Sequence, residues 1–331
     1  MIRLLLVVIG WPLVVVALIT AYQWQQAVAP RASEADIPAL DPATAHPIAW
    51  RLSQEAVREF RALPPAEQEA IVASLAGRMM TPAHWVARAR RADYDILCVG
   101  EMHEPDTRAF LAETLFSRYP ADVLYLEARP LELARIEDRF RAGRRPVELL
   151  EADIGAVLAR ARGANPAVQV WPIEETAAQQ QRRREGAEGS RDRSLARNFW
   201  SHYRAGGRHV VLAGALHCAD ERGWLYRHLR VQSARPGLRL HSVHVFGEHQ
   251  LGPLAGFVHL LDAIGLRPGD FALVDAGSLH PRIREWFGLL HQQVFERSDS
   301  LIVFRMLDGR EPRRDAPGAP RPRWIPVGSG A

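Results

Sequence analysis

No lysine occurs anywhere in the chain: all 42 Lys/Arg positions are arginine. A phosphate-binding loop of the Walker type needs a lysine at its tip. Schiff-base and pyridoxal chemistry need a lysine amine. Kinase folds need a strand lysine on the nucleotide phosphates. All three classes are excluded. Cysteine is scarce as well, with Cys98 and Cys218 making the whole set. Neither lies in a C-x-x-C or C-x-x-C-H pattern, which excludes zinc ribbons and covalent haem attachment. The two are read as small buried hydrophobes, with one disulfide as the rival. H-E-x-x-H and G-x-S-x-G are absent too, so neither a standard zincin nor a serine α/β-hydrolase is expected.

What is present is the composition of a globular protein, 47% hydrophobic and 24% charged over 331 residues. The length allows one large domain or two small ones with ample core. The net charge of +4 is unevenly placed. Residues 309–331 hold five arginines against Glu311 and Asp315, so this Pro-rich tail carries +3 of it. Such a tail cannot bury enough apolar surface to fold. A nucleic-acid binder concentrates positive charge on a folded face, so nucleic acid is not expected as a partner. The run Arg182-Arg183-Arg184 is read as a solvated helix face.

Leu4 to Tyr22 is almost wholly apolar and uncharged. Nineteen helical residues span roughly 28 Å, close to a bilayer core. Arg3 precedes the run, and Tyr22 and Trp24 follow it in positions suited to an interfacial belt. The expectation is an uncleaved single-pass inner-membrane anchor with the body facing the periplasm or cell exterior. A cleaved signal peptide is the rival, with small residues at Ala27-Val28-Ala29; Pro30 after the cut disfavours it. No cysteine near the N-terminus suits a lipoprotein anchor.

Residues 23–50 read as an Ala/Pro-rich linker. A helical segment follows from Arg51 to Arg91, with Thr81-Pro82 as an N-cap and first-turn pair. Short apolar runs then alternate with helical stretches. The strand candidates are Tyr94–Val99, Asp122–Leu126, Val168–Ile173, His209–Ala213, Leu240–Phe246, Phe271–Val274 and Leu301–Phe304. Helices are expected over Asp106–Tyr119, Leu131–Ala142, Ser190–Ala205, Asp220–Arg230, Leu251–Leu261 and Arg282–Phe295. The alternation predicts an α/β fold with a largely parallel sheet and flanking helices. The expected organisation is a membrane anchor at 1–22, a linker at 23–50, a single α/β domain at 51–308 with its core at 93–305, and a disordered tail at 309–331.

In a parallel α/β sheet, ligands bind beyond the carboxyl ends of the strands. Those ends carry Glu101 and His103, Glu127, Glu174 and Glu175, His217, Glu248 and His249, and Asp275. Two ends share a pattern: Gly100-Glu-Met-His103 and Gly214-Ala-Leu-His217 are both G-x-x-H after an apolar strand. The glycine permits a sharp turn and close backbone approach. An extended first turn would project Glu101 and His103 to the same side, a carboxylate beside an imidazole. The helix from Ser190 should return across the sheet and set Arg191 on the same edge. There it could hold a carboxylate or a developing oxyanion.

Val99-Gly-Glu-Met-His103, Phe110-Leu-Ala-Glu-Thr-Leu115 and Leu124-Tyr-Leu-Glu127 together resemble the opening of the superfamily that includes TraB, Tiki, ChaN and the erythromycin esterases. Arg191-Asp-Arg-Ser-Leu-Ala196 followed by Val210-Val-Leu-Ala-Gly-Ala-Leu-His217 resembles its second block. The likeness covers roughly residues 93–305. It implies a shared pocket of His103, His217 and Glu127, with Arg191 and Glu101 as the matching arginine and acid. Members differ in activity: Tiki-like proteins are metal-dependent peptidases, erythromycin esterases use a histidine base without a required metal, and ChaN binds haem. Glu101 departs from the threonine of Tiki and TraB proteins, and the missing lipobox departs from ChaN.

Three functions are therefore expected in competition. The first is a hydrolase of an ester or amide bond, acting on a small-molecule or peptide substrate. A histidine oriented by Glu101 or Glu127 would deprotonate water, and Arg191 would stabilise the oxyanion. A divalent metal, if bound, would take His103, His217 and Glu127 as three ligands and leave one position open. The second is a ChaN-like haem- or metal-binding module, with Tyr125, His241, His244 and His249 as extra ligand candidates. Odd spacing puts His241 and His244 on opposite strand faces, which weakens that set. The third is a partner-binding ectodomain without catalysis.

Overall fold

The computed structural model describes residues 47–141, 149–232, 237–248, 250, 252–266 and 269–305. The expected membrane anchor, most of the linker, His249 and the C-terminal tail lie outside the described residues. No helix among the described residues is long and apolar enough to cross a membrane.

The chain begins with α1 (Pro47–Ala62), α2 (Pro65–Ala76), the two-residue strand β1 (Met79–Met80) and α3 (Pro82–Ala92). Proline opens each of these helices because its fixed φ suits the first turn and its missing N–H has no helical partner there. Thr81 caps α3 by accepting from the His84 N–H at 3.2 Å, as the Thr-Pro pair predicts. Then follow β2 (Ile96–Glu101), α4 (Pro105–Leu111), β3 (Val123–Leu126), α5 (Pro130–Arg141), α6 (Leu149–Ala164), β4 (Gln169–Pro172), α7 (Ala177–Arg184), α8 (Arg191–His202) and β5 (His209–Gly214). The last part holds α9 (Leu225–Gln232), β6 (Leu240–Gly247), α10 (Gly252–Ala263), β7 (Phe271–Val274), α11 (Pro281–Trp286), α12 (Gly288–Leu290) and β8 (Ser300–Phe304).

The fold is mixed α/β: helices flank one eight-stranded sheet of order β1-β7-β8-β6-β2-β5-β3-β4. From β8 through β4 the neighbours run parallel, while β7 is antiparallel to β8 and to β1. All seven expected strands form, with no end moved by more than two residues. The antiparallel direction of β7 corrects one expectation. Asp275 leaves the sheet at the edge where β2, β6 and β8 begin, not among the carboxyl ends of the parallel strands. Helix α6 was not foreseen; its run from Leu149 lacks a marked apolar stripe.

β2 is buried along its whole length. Its alternate residues enter opposite layers. Leu97 and Val99 join a core with Trp85, Phe110, Phe116 and Leu158. Ile96 and Cys98 join a core with Phe199, Leu195 and Leu229. A third cluster packs Phe257, Phe287 and Phe295 against Leu273, Leu301 and Val303. Fully burying each such side chain contributes roughly 1.5–3 kcal/mol, so both sheet faces are firmly covered.

Cys98 and Cys218 are disulfide-bonded, so the expectation of two independent buried thiols is replaced by the rival. Sequence separation of 120 residues hid the pairing. Strand pairing decides it: β5 lies beside β2, and the 3-10 turn Ala215–Cys218 that follows β5 folds back over the β2 face bearing Cys98.

Candidate functional site

Strand order builds the site. β2 and β5 are parallel neighbours in a register that sets Gly100 opposite Ala213 and Glu101 opposite Gly214. The two G-x-x-H motifs therefore end side by side, although 114 positions separate His103 and His217 in the chain. β3 flanks β5 on the other side and delivers Glu127; β4 follows and delivers Glu174.

Both motif glycines are needed for close approach. A Cβ at residue 214 would lie 2.7 Å from His103 Nε2, and one at residue 100 would lie 2.8 Å from His244 Cδ2 and 2.9 Å from Ala215 Cα. Distances this short leave room for hydrogen only.

Glu101 is 1% exposed. Its Oε1 accepts from Arg108 Nε at 3.0 Å and Nη2 at 2.8 Å, and lies 2.8 Å from His103 Nδ1. Its Oε2 accepts from the His103 backbone N–H. The carboxylate and imidazole do meet, but not through an extended turn. His103 has φ of +56°, a left-handed conformation costly for a non-glycine residue and concentrated at functional sites. His103 keeps 44% of its side chain exposed, with Nε2 3.5 Å from Glu127 Oε2. The hydrogen bond to Glu101 raises the pKa of His103; burial opposes this, and the charges of Glu101 and Glu127 reinforce it.

Glu127 lies at the centre. Its Oε2 accepts from the Gly214 N–H at 2.7 Å and its Oε1 from Arg191 Nη2 at 2.6 Å. Oε1 is also 3.2 Å from His217 Nε2. Burial disfavours its charge, but hydrogen bonds and charge from His217, the Gly214 N–H and His103 prevail, and its pKa falls to about 2.

His217 is held from behind. Its Nδ1 lies 2.5 Å from Asp192 Oδ1, and that oxygen also accepts from the Leu225 N–H at 2.8 Å. Burial disfavours the imidazolium, yet the bonds to Asp192 and Glu127 raise its pKa to about 9.

Arg191 is the first residue of α8, whose N-cap Ser190 accepts from the Arg193 N–H at 3.3 Å. The helix brings its N-terminus to the same edge, and Arg191 reaches three groups. Nε donates to Glu174 Oε1 at 2.9 Å, Nη2 donates to Glu127 and to Glu174 Oε2, and Nη1 is 3.0 Å from His217 Nε2.

His103, His217, Glu101, Glu127 and Arg191 thus form one cluster. Nothing in the sequence singles out Arg108 or Asp192, and Glu174 stands out there only as an acid at a strand end. Asp192 sits beside Arg191 in the sequence and resembles a surface ion-pair member; only its 6% exposure marks it. Tyr125 stands apart from the cluster. It is fully buried against Phe199, and its hydroxyl lies 3.2 Å from His209 Nδ1. Tyr125 points with Val123 into the core layer around Phe199, two residues before Glu127, which reaches the cluster from the strand end. His241 stacks on Tyr94, and His244 is buried against Gly100.

The donor set does not suit a divalent metal in this arrangement. Gly214 N–H and Arg191 each engage one oxygen of Glu127, and Arg191 places a cation against both that carboxylate and His217 Nε2. Among the described residues, no group of three His, Cys, Asp or Glu side chains is arranged to hold a metal ion.

No family model and no curated protein match the chain. Several solved structures superpose weakly on part of the chain. A Bacillus cereus protein superposes with a TM-score of 0.43 at 9% identity over 76% of this chain and 97% of its own. RRSP, a MARTX toxin effector domain from Vibrio vulnificus, gives 0.32 at 16% identity over 50% of this chain and 36% of its own. A structure described as bacterial protein toxins gives 0.34 at 14% identity over 58% of this chain and 41% of its own. This chain therefore spans less than half the length of either toxin structure. Likenesses this weak decide neither family nor activity.

Proposed function

We propose that the protein is a hydrolase of ester or amide bonds, with His103 as general base. The observation that carries this reading is the Glu101–His103 pair. Glu101 is held by Arg108 and lies 2.8 Å from Nδ1 of an imidazole that stays half-exposed, with Arg108 Nη2 also 3.0 Å from Nδ1; with its proton on Nδ1 toward Glu101, His103 would use Nε2 to take a proton from water. The pKa of both histidines is raised; His217, at about 9, is already protonated at neutral pH, and the choice falls on His103 because it is the more exposed of the two. His217 is then a proton donor or a fixed positive charge. It and Arg191 would face the developing oxyanion or the leaving group. Glu127, ionised throughout the neutral range, would hold both cations and His103 in register.

The resemblance to the erythromycin-esterase branch supports a metal-independent route, and no step here needs a metal. The disulfide supports an oxidising compartment. It is consistent with a body held outside the cytoplasm by the apolar segment at Leu4 to Tyr22.

The test is hydrolysis of p-nitrophenyl esters, aryl amides and simple lactones by the full-length protein. We expect turnover of at least one class. His103→Ala should lower kcat by about 10²–10⁴, the usual contribution of a positioned base. Full activity of His103→Ala on a substrate the parent cleaves would refute the assignment.

A further inference from the structure

A second polar cavity lies on the opposite edge of the sheet. Its volume is about 160 Å³, and its lining includes Arg88, Tyr94, His241, Asp275, Asp299 and Ser300. The residues come from the starts of β6 and β8, the approach to β2, the end of β7, and helix α3. The carboxyl-end cluster contributes nothing to it.

The walls are fixed from behind. Tyr94 stacks on His241, ring centroids 4.4 Å apart and planes 13° from parallel. His241 Nε2 is 2.9 Å from Ser300 Oγ. Asp299 Oδ2 accepts from the Ser242 N–H at 2.7 Å and from the Tyr226 hydroxyl at 2.9 Å. Two lining charges are left over. The Asp275 carboxylate and the Arg88 guanidinium make no hydrogen bond or ion pair among the described residues. Both are exposed, and Asp275 takes φ of +50°, a left-handed turn that aspartate tolerates.

The cavity thus offers a free anion, a second anchored carboxylate, a free fork of N–H donors and an aromatic wall. We infer that it binds a small zwitterion of the α-amino-acid class. The ligand carboxylate would take the fork of Arg88, and its ammonium the carboxylates of Asp275 and Asp299. The Tyr94–His241 stack would contact the rest of the molecule. The inference does not depend on the hydrolase reading.

The experiment is calorimetric titration of the full-length protein with each of the twenty free L-amino acids, and with acetate and methylamine as half-ligands. At least one amino acid should bind with Kd of about 1 mM or tighter, and each half-ligand at least about tenfold more weakly. Asp275→Asn keeps a residue that tolerates the left-handed turn, and Arg88→Gln alters an exposed position. Each should weaken binding at least about tenfold with little change in Tm. His103→Ala should bind as the parent does. Three results would overturn the inference. One is no binding by any amino acid up to about 10 mM. Another is methylamine binding as tightly as the amino acid, unaffected by Arg88→Gln. The third is binding lost in His103→Ala but kept in Asp275→Asn, which would move the ligand to the other edge.

Discussion

A Cβ on residue 214 would sit 2.7 Å from Nε2 of His103, so Gly214 and His103 occupy space that only a hydrogen can share. Gly214→Ala should push the imidazole away from Glu127. A displacement of about 1 Å from a reactive pose costs on the order of 10² in rate. The check is kcat/KM on a responsive ester beside a thermal melt. A wild-type rate would show that the His103 position is not critical.

Arg191→Lys is the second test, and in a chain without lysine it introduces a new side-chain type. The ammonium keeps the charge but cannot span Glu127, Glu174 and His217 together, as the planar fork does. We expect kcat to fall by about 10²–10³, as for loss of an oxyanion donor. Equal kcat with a higher KM would instead place Arg191 in ground-state binding.

Asp192→Asn removes the charge behind His217 Nδ1. The imidazole should then titrate at least about one pH unit lower, since an opposite charge at this range favours the protonated form by that much or more. The ring Hε1 resonance, followed by NMR against pH, reads this directly. An unchanged midpoint would assign the raised pKa to Glu127 alone.

Stability should depend on pH at both ends. His217 has a raised pKa, so its contribution is complete below 6.5 and is lost as pH rises through about 9. Glu127 has a lowered pKa, so its contribution is complete above 4.5 and is lost as pH falls through about 2. Between 4.5 and 6.5 neither changes. Urea midpoints measured across pH should show a loss on each side, and His217→Gln should flatten the alkaline one.

Cys98→Ser together with Cys218→Ser reopens a loop of 120 residues. Loop-closure entropy sets the expected loss at roughly 4–5 kcal/mol, read from the urea midpoint. The turn that carries His217 should loosen as well, because Cys218 directly follows it. Activity that survives reduction at temperatures well below the melt would show that the turn is held by packing alone.

Much of the fold was legible because its signals are local. Apolar runs such as Val123–Leu126 and Phe271–Val274 form strands where expected, since a buried strand needs little beyond a short β-branched or aliphatic run. Strand direction was not legible. β7 reads like its parallel neighbours, yet it pairs antiparallel to β8 and carries Asp275 to the far edge. The left-handed turn at His103 was hidden for a related reason, since nothing in Gly100-Glu-Met-His103 announces a positive φ at a histidine. Arg108 and Asp192 have ordinary helix-surface sequence contexts, and only their burial against Glu101 and His217 reveals their part.

The sequence by itself determined the chemistry available to this protein. Without lysine, proton transfer falls to histidine and carboxylate, and fixed cations to arginine or imidazolium. It also determined that two G-x-x-H motifs follow apolar strands. Only the tertiary structure decided that these strands are neighbours, because pairing depends on how helices cover the sheet and not on either strand alone. Packing likewise decided how firmly each histidine is held. His217 lies buried between two carboxylates, while His103 stays half-exposed beside Glu101 and Glu127, and a pKa reports surroundings that a residue's sequence neighbours do not describe.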